Sequence, residues 1–136
     1  MINLVCGNNG TGKTKYLVNT ANGFVSDGLG HVVFIDTSNE LMLALNHEIR
    51  FVNLTEFPIN TCSELIGFIS GMISEDYDIR FIMIDSIESL LKDWESSLEK
   101  TLDTLQILSE KYKVEFHIAN NGEVESSPVL SKEFVA

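Results

Sequence analysis

The stretch Gly7-Asn8-Asn9-Gly10-Thr11-Gly12-Lys13-Thr14 decides the fold that the rest of the chain has to follow. It matches the pattern G-x-x-x-x-G-K-[ST] at every fixed position. Glycine reaches backbone conformations that other residues avoid, so successive N–H groups in such a stretch can turn inward around an anion. The stretch therefore predicts a loop that surrounds a phosphate group and leads into a helix whose N-terminus faces that phosphate.

The segments on both sides of this loop agree with that prediction. Ile2–Cys6 is a short apolar run typical of a buried strand. Lys13–Val25 has the spacing of an amphipathic helix, with one apolar face formed by Leu17, Val18, Ala21 and Phe24. Strand, loop and helix in this order are the setting that a phosphate site of this kind requires.

The loop pattern and one later strand together predict a site for a nucleoside triphosphate and Mg²⁺. Lys13 is expected to contact the β- and γ-phosphates, where it also assists catalysis, and the Thr14 hydroxyl is expected to bind Mg²⁺. The apolar run 81–84 ends in Asp85, a carboxylate placed to hold the ion through water. The remaining nucleotide-binding positions are the loop residues Gly7, Asn8, Asn9, Gly10, Thr11 and Gly12.

Apolar runs alternate with helical patterns along the chain, which is typical of a parallel sheet covered by helices. The predicted strands are Ile2–Cys6, His31–Asp36, Arg50–Leu54, Arg80–Asp85 and Val114–Ala119. The predicted helices are Lys13–Val25, Asn39–Asn46, Cys62–Ser74 and Ser86–Tyr112.

Two capping boxes refine these predictions. Thr61 and Glu64 begin the third helix, whereas Ser96 and Glu99 predict a break near Glu95 that divides the last region into two helices. An unbroken helical seam is the alternative for that region. With no Pro- or Gly-rich linker, we predict one domain over residues 1–136, in which the tail after Gly122 can add an edge strand or a helix.

The residues around Asp85 resemble those of a known family. Ile84-Asp85-Ser86-Ile87-Glu88-Ser89-Leu90 is similar to the second nucleotide motif of RecA-superfamily ATPases, such as RecA, RadA and KaiC, and the order of elements over residues 1–125 is similar too. The resemblance implies a three-layer RecA-like P-loop fold with the sheet order 3-2-4-5-1. It also implies that Asn120 lies beside the γ-phosphate, although Asn120-Asn121-Gly122 can also be read as a simple turn.

The sequence departs from the family at two positions that matter for hydrolysis. The family glutamate that activates the attacking water is matched by Ser38, and either Asp36 or Glu40 could replace it. Glu40 is our candidate catalytic base, and the alternative is a first-turn residue that stabilises a helix N-terminus. The two arginines, Arg50 and Arg80, are both expected at strand starts, far from the ligand crevice.

These departures leave three functions open. The first is a slow or partner-stimulated ATPase, the second is a module that binds ATP without hydrolysing it, and the third is a small-molecule kinase. ATP is favoured by elimination, because the chain lacks the D-x-x-G and N-K-x-D motifs of Ras-type GTPases and the L-S-G-G-Q motif of ABC ATPases. A kinase usually needs several arginines to bind two sets of phosphates.

Composition restricts the partners. Nine Lys and Arg against twenty Asp and Glu give a net charge of −11, which disfavours nucleic acid and favours a protein partner. The resemblance also leaves a homo-oligomer open, because RecA-like proteins often build their active sites between subunits. No apolar run approaches the ~18 residues of a membrane span. Cys6 and Cys62 fit no metal or disulfide spacing, so we expect buried thiols. With no room for a signal peptide before the first strand, these features predict a cytoplasmic protein.

Overall fold

The structure, a computed structural model, describes residues 1–7, 12–121 and 130–134. These residues form six strands and three α-helices. The strands are β1 (Ile2–Gly7), β2 (His31–Asp36), β3 (Arg50–Asn53), β4 (Ile79–Ile84), β5 (Glu115–Asn121) and β6 (Leu130–Phe134). The helices are α1 (Lys13–Asp27), α2 (Cys62–Glu75) and α3 (Trp94–Tyr112).

The strands form a single sheet of order β3-β2-β4-β5-β1-β6, and every neighbouring pair is parallel. The predicted order 3-2-4-5-1 is therefore confirmed, and β6 adds an edge strand beside β1. Because all strands run the same way, their carboxyl ends emerge at one edge of the sheet, which is where ligands bind in open α/β sheets.

Helices cover both faces of the sheet and give the predicted three layers. Alternate residues of β2 divide between two hydrophobic cores. Val33 and Ile35 belong to the core under α2 and α3, whereas Val32 and Phe34 belong to the core under α1. Near-continuous apolar strands are expected for a sheet that is buried on both faces.

The capping box at Thr61 and Glu64 is present and begins α2 as predicted. Of the two helices predicted across residues 86–112, only the second is present, and Ser96 is not its N-cap. The predicted helix before the break is wrong. Residues 86–93 form turns, and α3 begins at Trp94 with Asp93 as its N-cap. Tertiary contacts explain the difference, because Ser86 takes a left-handed φ of 56° and the Lys92 N–H donates to Asn60 O at 3.0 Å instead of within a helix.

The predicted helix Asn39–Asn46 is also wrong, since this segment contains only one 3₁₀ turn at Met42–Ala44. The side chain of Asn22 on α1 explains the difference. Its Nδ2 donates to Ala44 O at 3.0 Å and its Oδ1 accepts from Asn46 N at 2.8 Å. These contacts satisfy backbone groups that a regular helix would pair internally.

The predicted burial of the two cysteines is confirmed, and Trp94 and His117 also lie in the interior. Cys6 and Cys62 are buried cysteines outside any disulfide, as expected. Trp94 is also buried in the core. His117 is a buried, hydrogen-bonded residue of a central strand, with Glu115 at 2.7 Å and Asn3 at 3.3 Å. Among the described residues, no helix is both long and apolar enough to cross a membrane.

Candidate phosphate and metal site

Lys13, the first residue of α1, lies at the carboxyl edge of the sheet. Its Nζ donates to Gly7 O at 2.6 Å and to Asn121 Oδ1 at 2.7 Å. Gly7 and Asn121 are register partners at the ends of β1 and β5. The two strands thus hold a nearly buried ammonium group at the point where a phosphate would meet the N-terminus of α1.

The N-terminus of α1 combines a glycine cap with a lysine as its first helical residue. Gly12 is the N-cap and has a left-handed φ of 91°, a conformation that favours glycine, and the first turn contains no acidic residue. A helix N-terminus with a lysine in its first turn is suited to bind an anion. The predicted loop residues Asn8, Asn9, Gly10 and Thr11 lie outside the described residues.

Thr14 and Asp85 meet beside Lys13. The Thr14 hydroxyl donates to Asp85 Oδ2 at 2.7 Å, and the Asp85 N–H donates to Ile35 O at 2.9 Å, which keeps the end of β4 against β2. A hydroxyl and a carboxylate on rigid elements are the kind of oxygen donors that Mg²⁺ takes together with phosphate oxygens. The residues present therefore fit the predicted ion.

Asp36 is a second buried carboxylate at the same edge, since it ends β2 and is 4% exposed. Burial raises its pKa from 3.8 to about 6. The Thr37 N–H, which donates to Oδ1 at 2.7 Å, lowers the pKa of Asp36, whereas the charges of Asp85 and Glu40 raise it further. The signal that predicted Asp85, an apolar strand ending in Asp, is equally present in residues 32–36.

Glu40 lies outside this buried cluster. It is exposed, in the turn that follows β2, and its N–H makes a long 3.4 Å contact with Ser38 Oγ. The helix that Glu40 could have opened is not present. The charge of Glu40 contributes to the raised pKa of Asp36, but no described hydrogen bond holds its side chain at the site.

Asn121, rather than the predicted Asn120, is the residue at the end of β5 that contacts Lys13. The Asn121 side chain contacts Lys13, whereas Asn120 is buried and accepts a hydrogen bond from Trp94 Nε1 at 3.1 Å. Neighbouring residues of a strand point to opposite faces, so only one of the two can face α1. Sequence reasoning missed Asn121 because the choice depends on the strand register, which pairs it with Gly7.

The opposite edge of the sheet holds a different, more exposed cluster. His31 Nδ1 lies 2.6 Å from Asp76 Oδ2. A ring nitrogen of His31 and one carboxylate oxygen each of Asp76 and Asp78 lie within 4.8 Å of one another. The hydrogen bond between the pair raises the pKa of His31 and lowers that of Asp76. Arg50 and Arg80 are also at the amino ends of their strands, as predicted.

Comparison of the sequence with models of protein families and with characterised proteins gives no match. The class that the fold defines is therefore the parallel α/β sheet of order 3-2-4-5-1. What this chain does has to be inferred from the groups gathered at the carboxyl edge.

Proposed function

We propose that this chain is a RecA-like P-loop protein that binds Mg·ATP and hydrolyses it slowly or when a partner stimulates it. One observation carries the proposal. Lys13 joins the ends of β1 and β5 within the first turn of α1, immediately beside the hydrogen-bonded pair of Thr14 and Asp85. This arrangement supports the role that the glycine-rich loop sequence predicts.

Each group at this edge has a chemical task in the proposal. Lys13 and the N-terminus of α1 bind the phosphates, and Thr14 and Asp85 hold Mg²⁺, the second of them through water. The ion, when bound, neutralises charge that develops on the phosphate oxygens. The ammonium group of Lys13 has three N–H donors. Oxygens of a bound phosphate would compete with Gly7 O and Asn121 Oδ1 for these donors.

Asp36 is the better candidate for the group that orients and deprotonates the attacking water. It is buried at the end of the strand next to β4, and its pKa of about 6 is suited to accept a proton near neutral pH. Glu40 remains our sequence-based prediction for the same role, but it is exposed and lies on a turn. The two assignments are separable by mutation.

The two arginines explain why turnover is expected to be slow. Arg80 Nη1 contacts Lys113 O at 3.4 Å, and Arg50 begins β3, so both lie at the edge opposite to Lys13. A transition-state arginine typically accelerates phosphoryl transfer by ~10³–10⁵. A protein partner, or a second copy of the chain, would have to supply one. The net charge of −11 suits a basic partner surface.

The test combines calorimetric titration of a non-hydrolysable Mg·ATP analogue with measured phosphate release from Mg·ATP. Lys13→Ala should weaken binding at least about tenfold, because one contact to a charged group is worth ~1.5–3 kcal/mol. Lys15→Ala is the matched control, since Lys15 is exposed two positions along the same helix. Equal affinity of wild type and Lys13→Ala would overturn the proposal.

A second candidate, the module that binds ATP without hydrolysing it, is favoured by Ser38 at the position of the family glutamate. The same titration distinguishes it, because tight binding without phosphate release above the Lys13→Ala level would identify the module. Conversion of ATP to ADP without free phosphate, in the presence of small-molecule acceptors, would instead identify the kinase.

A further inference from the structure

Beyond Lys13, a line of hydrogen bonds crosses the sheet. Asn121 Oδ1 accepts from Lys13, and the Asn121 carbonyl accepts from Asn120 Nδ2 at 3.2 Å. Asn120 Oδ1 in turn accepts from Trp94 Nε1 at 3.1 Å. Because neighbouring side chains of β5 point to opposite faces, this line connects the α1 face of the sheet to the α3 face.

The interior position of the line makes its contacts consequential. Asn120 and Trp94 are 5% and 4% exposed, so neither can exchange its hydrogen bond freely for water. A buried polar group that loses its partner is destabilised by about 1–3 kcal/mol. A shift of the Asn121 backbone, whose carbonyl accepts from Asn120, therefore cannot leave the bond between Asn120 and Trp94 unaffected without a compensating movement.

The far end of the line reaches the N-termini of both helices on that face. Trp94 is the first residue of α3, and its neighbour Asp93 accepts from the N–H of Cys62, the first residue of α2, at 2.8 Å. Glu88 Oε1 also accepts from the Asn121 N–H at 3.3 Å. Residues 86–93 connect Asp85 to α3 and contain turns rather than a regular helix. Glu88 in this segment contacts the end of β5, and Asp93 contacts the first residue of α2.

We propose that Asn120 and Asn121 are positioning residues that couple phosphate occupancy at Lys13 to the first turn of α3 through Trp94. The coupling rests on the proposed nucleotide function. Phosphate binding alters the contact between Lys13 and Asn121, and Asn120 transfers that change to Trp94 and the N-termini of α3 and α2. In the reverse direction, a partner that displaces α3 changes the affinity for nucleotide by the same factor, because coupling between binding sites is reciprocal.

The chain contains a single tryptophan, so Trp94 reports directly on the end of the line. Its emission, excited where adenine does not absorb, should change on titration with a non-hydrolysable Mg·ATP analogue. In Asn120→Ala the emission change should be lost, while calorimetry still gives an affinity within about threefold of wild type. Asn19→Ala, an exposed position on α1, is the matched control and should retain the change.

Amide hydrogen exchange of the wild type provides a second readout that does not depend on a variant folding. Bound nucleotide should alter protection in the first turn of α3 and at Cys62, and leave the last turn of α3 unchanged. Calorimetric binding with no change in emission or in this exchange would overturn the coupling alone, as would an unchanged emission response in Asn120→Ala. Absence of calorimetric binding would overturn the proposed function and the coupling together.

Discussion

A buried aspartate lies at the carboxyl end of each of the neighbouring strands β2 and β4, as the last residue of β2 and directly after β4, yet the two carboxylates have different environments. Asp85, 3% exposed, accepts a hydrogen bond from the Thr14 hydroxyl at 2.7 Å. Asp36, 4% exposed, accepts from the N–H of the adjacent residue Thr37, and burial raises its pKa to about 6. The same sequence pattern thus produces one carboxylate suited to a metal ion and another suited to a proton.

Position relative to α1 explains the difference. β4 is next to β5, whose Asn121 contacts Lys13, so Asp85 meets the first turn of α1 at Thr14. β2 is one strand further from β1, and Asp36 accordingly gains burial without a cationic neighbour among the causes of its pKa shift. Burial in that position disfavours the charged form of the carboxylate, so the group readily takes up a proton.

The largest expected effect separates the two carboxylates by turnover. Asp36→Asn should lower the rate of phosphate release by at least ~10², the usual contribution of a general base. Nucleotide affinity should change little, because Asp36 contacts neither Lys13 nor Thr14 in the described hydrogen bonds. Glu40→Gln is the comparison variant, and a loss of turnover there with an active Asp36→Asn would transfer the role to Glu40.

The same Asp36→Asn change should stabilise the protein without nucleotide. A folded pKa raised from 3.8 to about 6 means that the stabilisation by the protonated form is complete below about pH 4 and is lost as pH rises through 6. Above about pH 6 the free energy of unfolding of the variant should exceed that of the wild type by up to about 3 kcal/mol, at 1.36 kcal/mol per pKa unit. Urea unfolding at pH 4 and pH 8 measures the difference, and the exposed Asp103→Asn serves as control. An equal gain at both pH values would contradict the assignment to Asp36 ionisation.

For Asp85 the expected effect concerns the metal. Asp85→Asn should raise the Mg²⁺ concentration at the midpoint of ATP binding by about 10–100-fold, the range found for groups in the outer shell of a metal site. Titration of Mg²⁺ at fixed ATP measures this. Asp36→Asn should leave the Mg²⁺ midpoint nearly unchanged, and a matching shift in both variants would show that the two carboxylates share one ion.

The smallest effect lies at the opposite edge, where His31 and Asp76 form an exposed pair. Because the pKa of His31 is raised, the pair stabilises the fold fully below pH 6.5, and this stabilisation is lost as pH rises beyond that value. Because the pKa of Asp76 is lowered, its contribution is present above pH 3.8 and is lost at lower pH. His31→Gln should therefore destabilise most between about pH 4 and 6.5, by at most ~1 kcal/mol. Thermal melts across pH, with and without added salt, test this, and a constant loss up to pH 9 would exclude the ion pair.

The sequence predicted the fold well because its strongest signals are local. The glycine-rich loop between β1 and α1, the apolar strands and the capping box at Thr61 each depend on residues close together in the chain. The two wrong helices lie where distant partners intervene, namely Asn22 at residues 44 and 46, and Asn60 at Lys92. Helical propensity in those segments does not reveal these partners.

The site followed the same division. Lys13, Thr14 and Asp85 were predictable because fixed spacing within a motif, or the end of an apolar strand, marks them. Asn121 was not, since its selection over Asn120 depends on which residue of β5 pairs with Gly7. Asp36 was visible as a strand end, but its burial and its raised pKa depend on packing around the finished sheet edge.

The pairing of β1 with β5 also determines when this site can exist. Asn3 and His117 are 114 positions apart, and the contact from Lys13 to Asn121 spans 108. Closing such a long loop loses chain entropy before any contact compensates, so non-local pairing of this kind slows folding. During synthesis, Lys13 therefore emerges well before β5, and it lacks its contact with Asn121 until β5 is made. Under the proposed function, nucleotide would stabilise only the completed fold, so it would act on the last step of assembly rather than the first.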